Sequence, residues 1–206
     1  LKYLPITMLL AALLALSIPA AASAVPEQIP QPVYHIPLLV HLGDSDRPAA
    51  DFRTVFAEIN WIWLNQAGIC FEIEAVRDDR DPEGGLDMWF HPFIAEMIGL
   101  NGYYDGEKIQ MKDHPVLALA PHPARDSAAR TAAHELGHAL GLKHNQSARD
   151  NLMASKTYGW HLNNQEVERA RRGAVALTLP DPGRQSCAPP RFVEFGKTVD
   201  RIQKSE

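Results

Sequence analysis

The spacing of hydrophobic positions changes along the chain, and each change marks an element. Val33 to Leu42 (VYHIPLLVHL) is a run of β-branched and aliphatic residues closed by Gly43-Asp44, which reads as a strand. Phe52, Val55, Phe56, Ile59, Ile62 and Trp63 then recur at three- and four-residue steps. They form the apolar stripe of a helix from about Pro48 to Ala67. Gly68 stands where a left-handed cap would close that helix. From Ile69 to Val76 (ICFEIEAV) apolar and polar residues alternate, as on a half-buried strand. Strand, helix and strand in this order imply a crossover joining a mainly parallel pair.

Downstream the pattern is weaker. Asp78 to Gly85 is a charged turn, Leu86 to His91 (LDMWFH) a third strand and Lys108 to Lys112 a fourth. Val116 to Ala120 is either a fifth strand or loop, and the order of the strands between 86 and 120 is open. Two helices follow, Ser127 to Gly141 and about Asn163 to Arg172, before an irregular Pro-rich tail. The fold class expected is α/β (α+β): a twisted mixed sheet with a β-α-β start, a central helix and a C-terminal helix.

The first 24 residues follow a different logic. Lys2 precedes an apolar run from Leu4 to Ile18, and Ala22-Ser23-Ala24 offers the small residues a signal peptidase reads. Residues 1–24 are therefore expected to be a signal peptide and 25–206 one domain. An uncleaved anchor is the alternative, but the apolar run falls short of the roughly 20 residues a spanning helix needs. The protein is then secreted or periplasmic, with no stable membrane association after cleavage. Export makes Cys70 and Cys187 a candidate disulfide; otherwise Cys70 is a buried thiol and Cys187 is free. The 206 residues, 46% hydrophobic and 22% charged, suit one folded domain rather than a disordered chain. A net charge of −5 without a basic run argues against nucleic acid as partner. A monomer is the default expectation.

The chemistry concentrates in Thr131-Ala-Ala-His134-Glu135-Leu-Gly137-His138-Ala-Leu-Gly141-Leu-Lys-His144. His134 and His138 are four apart, so on a helix their imidazoles project from one face and can share a metal. Asp126 or Ser127 can cap that helix, and the alanines around 128–133 favour it. Glu135 follows the first histidine, where its carboxylate can reach a water on the metal without ligating. Gly141 permits a sharp turn that brings His144 back as third ligand. Three histidines leave one position open, the arrangement of a catalytic Zn2+ site with one ion. The plainer alternative is a surface helix that happens to carry histidines.

HELGHALGLKH resembles the extended HExxHxxGxxH signature of the metzincin metalloproteases, and its HELGHALGL run is most similar to the matrixins. Asn151-Leu152-Met153-Ala154 resembles the methionine-containing turn that lies beneath the metal in that clan. The resemblance implies a zincin fold, a zinc endopeptidase acting on protein or peptide substrates, and Glu135 as general base and acid. Met153 would support the floor of the site without ligating. Asn145 stands after the third histidine, where matrixins usually carry serine. Tyr158, Trp160 and His161 lie just past the methionine, where the clan builds a wall of its substrate pocket. They are candidates for substrate contact or for packing against the last helix. An exported zinc-containing binding module without catalysis is the alternative function, and a structural or adhesive protein with incidental zinc is a third.

The other histidines (35, 41, 91, 114 and 122) lack ligand spacing and are read as core or surface residues. Calcium is not supported, because Asp78-Asp79 and Asp105-Gly106-Glu107 lack the spacing of a calcium loop and read as turns. Glu166, Arg169, Arg171 and Arg172 read as a solvated helix face.

Overall fold

The computed structural model describes residues 28–77, 85–94, 99–117, 126–155 and 157–193. Strand β1 (Val33–His41), helix α1 (Ala49–Ala67) and strand β2 (Ile69–Val76) form the expected crossover, with β1 and β2 parallel. Along β1, Tyr34, Ile36, Leu38 and Val40 turn to the core. From α1, Phe52, Val55, Phe56, Ile59, Ile62 and Trp63 meet them. Gly68 closes α1 with φ 62°, and its N–H donates to Leu64 O at 3.0 Å. Buried Asn60 spends both ends of its amide on β2, donating to Phe71 O at 2.9 Å and accepting from Phe71 N at 2.8 Å.

Strand β3 (Leu86–His91) lies parallel to β1 on its other side, and β5 (Lys108–Lys112) lies parallel to β3. A strand without a strong sequence signal, β4 (Gly102–Tyr104), turns antiparallel against β5 and forms the edge. Asp105 builds the turn between them, its Oδ1 accepting from the N–H groups of Glu107 and Lys108 at 2.9 Å each. The triplet is too short for a period-2 pattern to register. Val116 and Leu117 are not strand, while residues 118–120 lie outside the described residues. So do residues 1–24, the turn from 78 to 84 and His122.

Helix α2 (Ser127–Ala139) packs between α1 and the β4–β5 edge. Helix α3 (Asn164–Leu177) runs five residues beyond the expected Arg172. It continues through Gly173, where a side chain would come within 2.3 Å of Leu140 O. That glycine serves close helix approach rather than a stop. The tail is less irregular than expected. Strand β6 (Pro180–Asp181) pairs antiparallel with β1, and β7 (Arg191–Val193) adds a parallel strand beside β2. Cys70 of β2 and Cys187 form a disulfide that fastens this return, with Cα atoms 5.2 Å apart. The described strands thus form one sheet in the order β4-β5-β3-β1-β2-β7, with β6 against β1. Among the described residues no helix is long and apolar enough to cross a membrane.

Candidate metal centre

Asp126 starts α2 as its N-cap, its carboxylate accepting from the Ala128 N–H at 2.7 Å. Ala128, Ala129, Ala132 and Ala133 are fully buried, and their small side chains let the helix lie close to its neighbours. His134 and His138 project one turn apart, as their spacing requires. Gly141, at φ 84°, reverses the chain after the helix, and the Leu142 N–H donates to Gly137 O at 2.9 Å. His144 then returns, its ring centroid 5.2 Å from that of His134 and 4.8 Å from that of His138.

The hydrogen bonds assign the tautomers. Nδ1 of His134 lies 2.8 Å from Leu152 O, and Nδ1 of His138 lies 2.9 Å from Leu142 O. A carbonyl only accepts, so each Nδ1 carries the hydrogen and each Nε2 is left with a lone pair. Those two Nε2 atoms face each other at 3.2 Å. Two lone pairs at that distance repel unless a cation lies between them. A tetrahedral ion with Zn–N bonds of about 2.0–2.1 Å sets its nitrogens roughly 3.3 Å apart. One donor atom from each of the three histidines lies within 4.8 Å of the others, a group that could hold a metal ion. Burial, reinforced by the charge of Arg130, pushes the His134 pKa down to about 3, and burial lowers that of His138 too. Both rings are thus held neutral, the form that binds metal.

Glu135 lines the same cleft, a cavity of 490 Å³ that also takes in the three histidines, Arg130 and residues 99–104 at the β4 edge. No described residue hydrogen-bonds its carboxylate. Burial therefore raises its pKa to about 7, although the Arg130 charge pulls the other way. Met153 is fully buried beneath α2, and a Cβ on Gly137 would sit 2.6 Å from its Sδ.

Two further side chains organise the segment after His144, and neither stands out as functional in the sequence. Arg130 is 3% exposed and uses its guanidinium as a clamp on carbonyls. Its Nε donates to Gly159 O at 3.1 Å, and its Nη2 donates to Leu152 O at 2.6 Å and to Ala154 O. It lies four residues before His134, hence on the same helix face, which was the available signal. Glu166, expected on a solvated face, instead completes a capping box with Asn163 and receives amide groups from Asn145 and Asn151. The Asn163-x-x-Glu166 spacing announces the cap. Nothing local announces the other two partners. Arg171, expected on the same face, donates to Ala67 O at 2.5 Å and to Gln31 O at 2.9 Å.

Tyr158, Trp160 and His161 fall apart as a set. Trp160 packs against the core, and its carbonyl accepts from Gln66 Nε2 at 2.7 Å. His161 is exposed, with its backbone paired to Asp150 and Leu152. Tyr158 is half-buried. None of the three is among the described residues that line the cleft.

The family model described as matrixin matches residues 55–172, more than half of the chain. The chain belongs to the matrixin family. Matrixins are metzincin-clan zinc metallopeptidases, so a zinc peptidase family and a histidine triad able to hold a metal coincide in one segment. Among solved structures, this matrixin is similar to the archaemetzincin of Methanopyrus kandleri. The two are 15% identical with a TM-score of 0.43, over 69% of this chain and 93% of that one. No curated protein matches.

Proposed function

We propose that this chain is an exported zinc endopeptidase that hydrolyses peptide bonds in protein or peptide substrates. The single observation that carries the reading is the pair of Nε2 lone pairs 3.2 Å apart, with Glu135 beside them in an open cleft. His134, His138 and His144 would hold one zinc ion. When bound, zinc supplies the Lewis acidity that makes water a nucleophile at neutral pH and polarises a carbonyl. Glu135 takes the proton of the attacking water and delivers it to the leaving amine nitrogen, as general base and then general acid. The Leu152 and Leu142 carbonyls hold two of the imidazoles in their ligating tautomer. Met153 supports the floor through packing.

Export belongs to the same proposal. Residues 1–24 serve as signal peptide, and 25–206 act as a monomer in the periplasm or outside the cell. The Cys70–Cys187 disulfide supports an oxidising compartment. The test is cleavage of a denatured generic protein with and without a zinc chelator. Cleavage that the chelator stops and added zinc restores is the expected result. Zinc-loaded protein that cleaves no peptide in a broad library would favour the binding module instead.

A further inference from the structure

His144 differs from the other two histidines because no helix holds it. It lies on the segment that leaves α2, runs through Asn145, Asn151 and Met153, and enters α3. Glu166, in the first turn of α3, reaches back to that segment with both carboxylate oxygens. Oε1 accepts from Asn145 Nδ2 at 2.7 Å. Oε2 accepts from Asn151 Nδ2 at 2.8 Å and from the Asn163 N–H at 2.8 Å. Only the last of these bonds is needed to cap a helix. Oε1 serves no purpose for α3, since its partner is the neighbour of His144.

Both asparagine amides are locked the same way round. Asn145 Oδ1 accepts from the Ser147 N–H at 3.0 Å and its hydroxyl at 2.6 Å. Asn151 Oδ1 accepts from the Met153 N–H at 2.7 Å. Each amide therefore presents its NH2 to α3, and only a group that accepts on both oxygens satisfies the two together. The Asn145 N–H donates to Met153 O at 3.0 Å, so the segment after His144 and the methionine turn are joined directly as well.

We propose that Glu166 is a positioning residue of the metal site. Its carboxylate, clamped by Asn145 and Asn151, holds His144 in register with His134 and His138. The inference rests on the reading of His144 as a metal ligand.

The test exchanges donor for acceptor in the full chain loaded with zinc or with cobalt(II). Glu166→Gln sets an NH2 against the NH2 of Asn145 or of Asn151. Asn145→Asp sets carboxylate against carboxylate. The two substitutions together restore one donor and one acceptor, because the amide introduced at position 166 would donate to the carboxylate introduced at position 145. Each single variant should lose metal affinity about tenfold, shift the visible absorption of the cobalt form, and lower kcat more than it changes KM. The double variant should recover all three. Asn145→Ala, which breaks the Oε1 contact without creating a like pair and leaves the helix cap intact, gives the same reading if either single variant fails to fold. Wild-type metal affinity and cobalt spectrum in that variant and in Glu166→Gln, with only the melting temperature lowered, would reduce Glu166 to a helix cap and overturn the proposal. Failure of the double variant to recover would overturn it too. His144→Ala is the control for the underlying reading. If it leaves affinity and spectrum unchanged, the ligand assignment has failed rather than the clamp.

Discussion

At the scale of single residues the candidate metal centre is built by subtraction. Two imidazoles give their Nδ1 hydrogens to the carbonyls of Leu152 and Leu142, and burial keeps the rings neutral. What remains is a pair of facing lone pairs, a geometry that a shared metal ion would satisfy. The histidine spacing and the turn at Gly141 were legible because they are local. The role of Arg130 was not, because the carbonyls it clamps belong to residues 152–159, and helical spacing says nothing about partners that distant. Gly137 is a residue whose presence only the packing explains. On propensity alone Gly137→Ala should stabilise α2 by about 1 kcal/mol. The new Cβ would sit 2.6 Å from Sδ of Met153, which is fully buried, so either Met153 or the helix must shift. Overpacking of this kind costs about 1–3 kcal/mol. The clash should win, and thermal unfolding of zinc-loaded protein should show a lower melting temperature. An unchanged or higher value would mean that Met153 moves aside freely.

At the scale of elements the sequence was most readable where the period was sustained. Helix α1 and strand β2 carry their apolar stripe and alternation over 19 and 8 residues, and both emerged within a residue of expectation. Strands β4, β6 and β7 have 3, 2 and 3 residues, and tertiary pairing rather than propensity makes them strands. Helix α2 joins two scales, because its cap is also an ion-pair partner. Arg47 Nη2 donates to Asp126 Oδ2 at 2.5 Å. Burial would raise the Asp126 pKa, but Arg47 and the N–H groups of Ala128 and Ala129 outweigh it and hold the carboxyl below its ordinary value of 3.8. A carboxyl depressed in the folded state contributes stability above its unfolded pKa and loses it as pH falls through the folded one. Asp126→Asn keeps a capping oxygen and removes the charge. Wild type should exceed it by about 1–2 kcal/mol at pH 6–7, and the gap should close on acidification below about pH 4. Denaturant unfolding across that range measures the gap. A constant difference would place the effect in the cap and not in the ion pair.

For the whole molecule, the return of the tail completes the sheet. A disulfide spanning 117 residues of sequence fixes Cys187 to Cys70, whose thiol position in β2 is fully buried. Closing a loop of that length removes much freedom from the unfolded chain, and disulfides typically contribute about 2–4 kcal/mol. Cys187→Ser should therefore lower stability by that amount. Reductant should lower the melting temperature of wild type but not of the variant. Equal melting with and without reductant in wild type would show that β6 and β7 hold the tail unaided. The cysteine pair was legible from count and the expectation of export, whereas the strands it fastens were not.

The central claim, that this matrixin is a zinc endopeptidase with Glu135 as its proton carrier, is tested most directly by Glu135→Gln. The substitution preserves size and Glu135 is not one of the three proposed ligands, so zinc content should stay near one per chain. Cleavage of a generic protein substrate should fall by about 10²- to 10⁴-fold, because an amide cannot take the proton from the attacking water. Full zinc content together with cleavage near the wild-type rate would contradict the account.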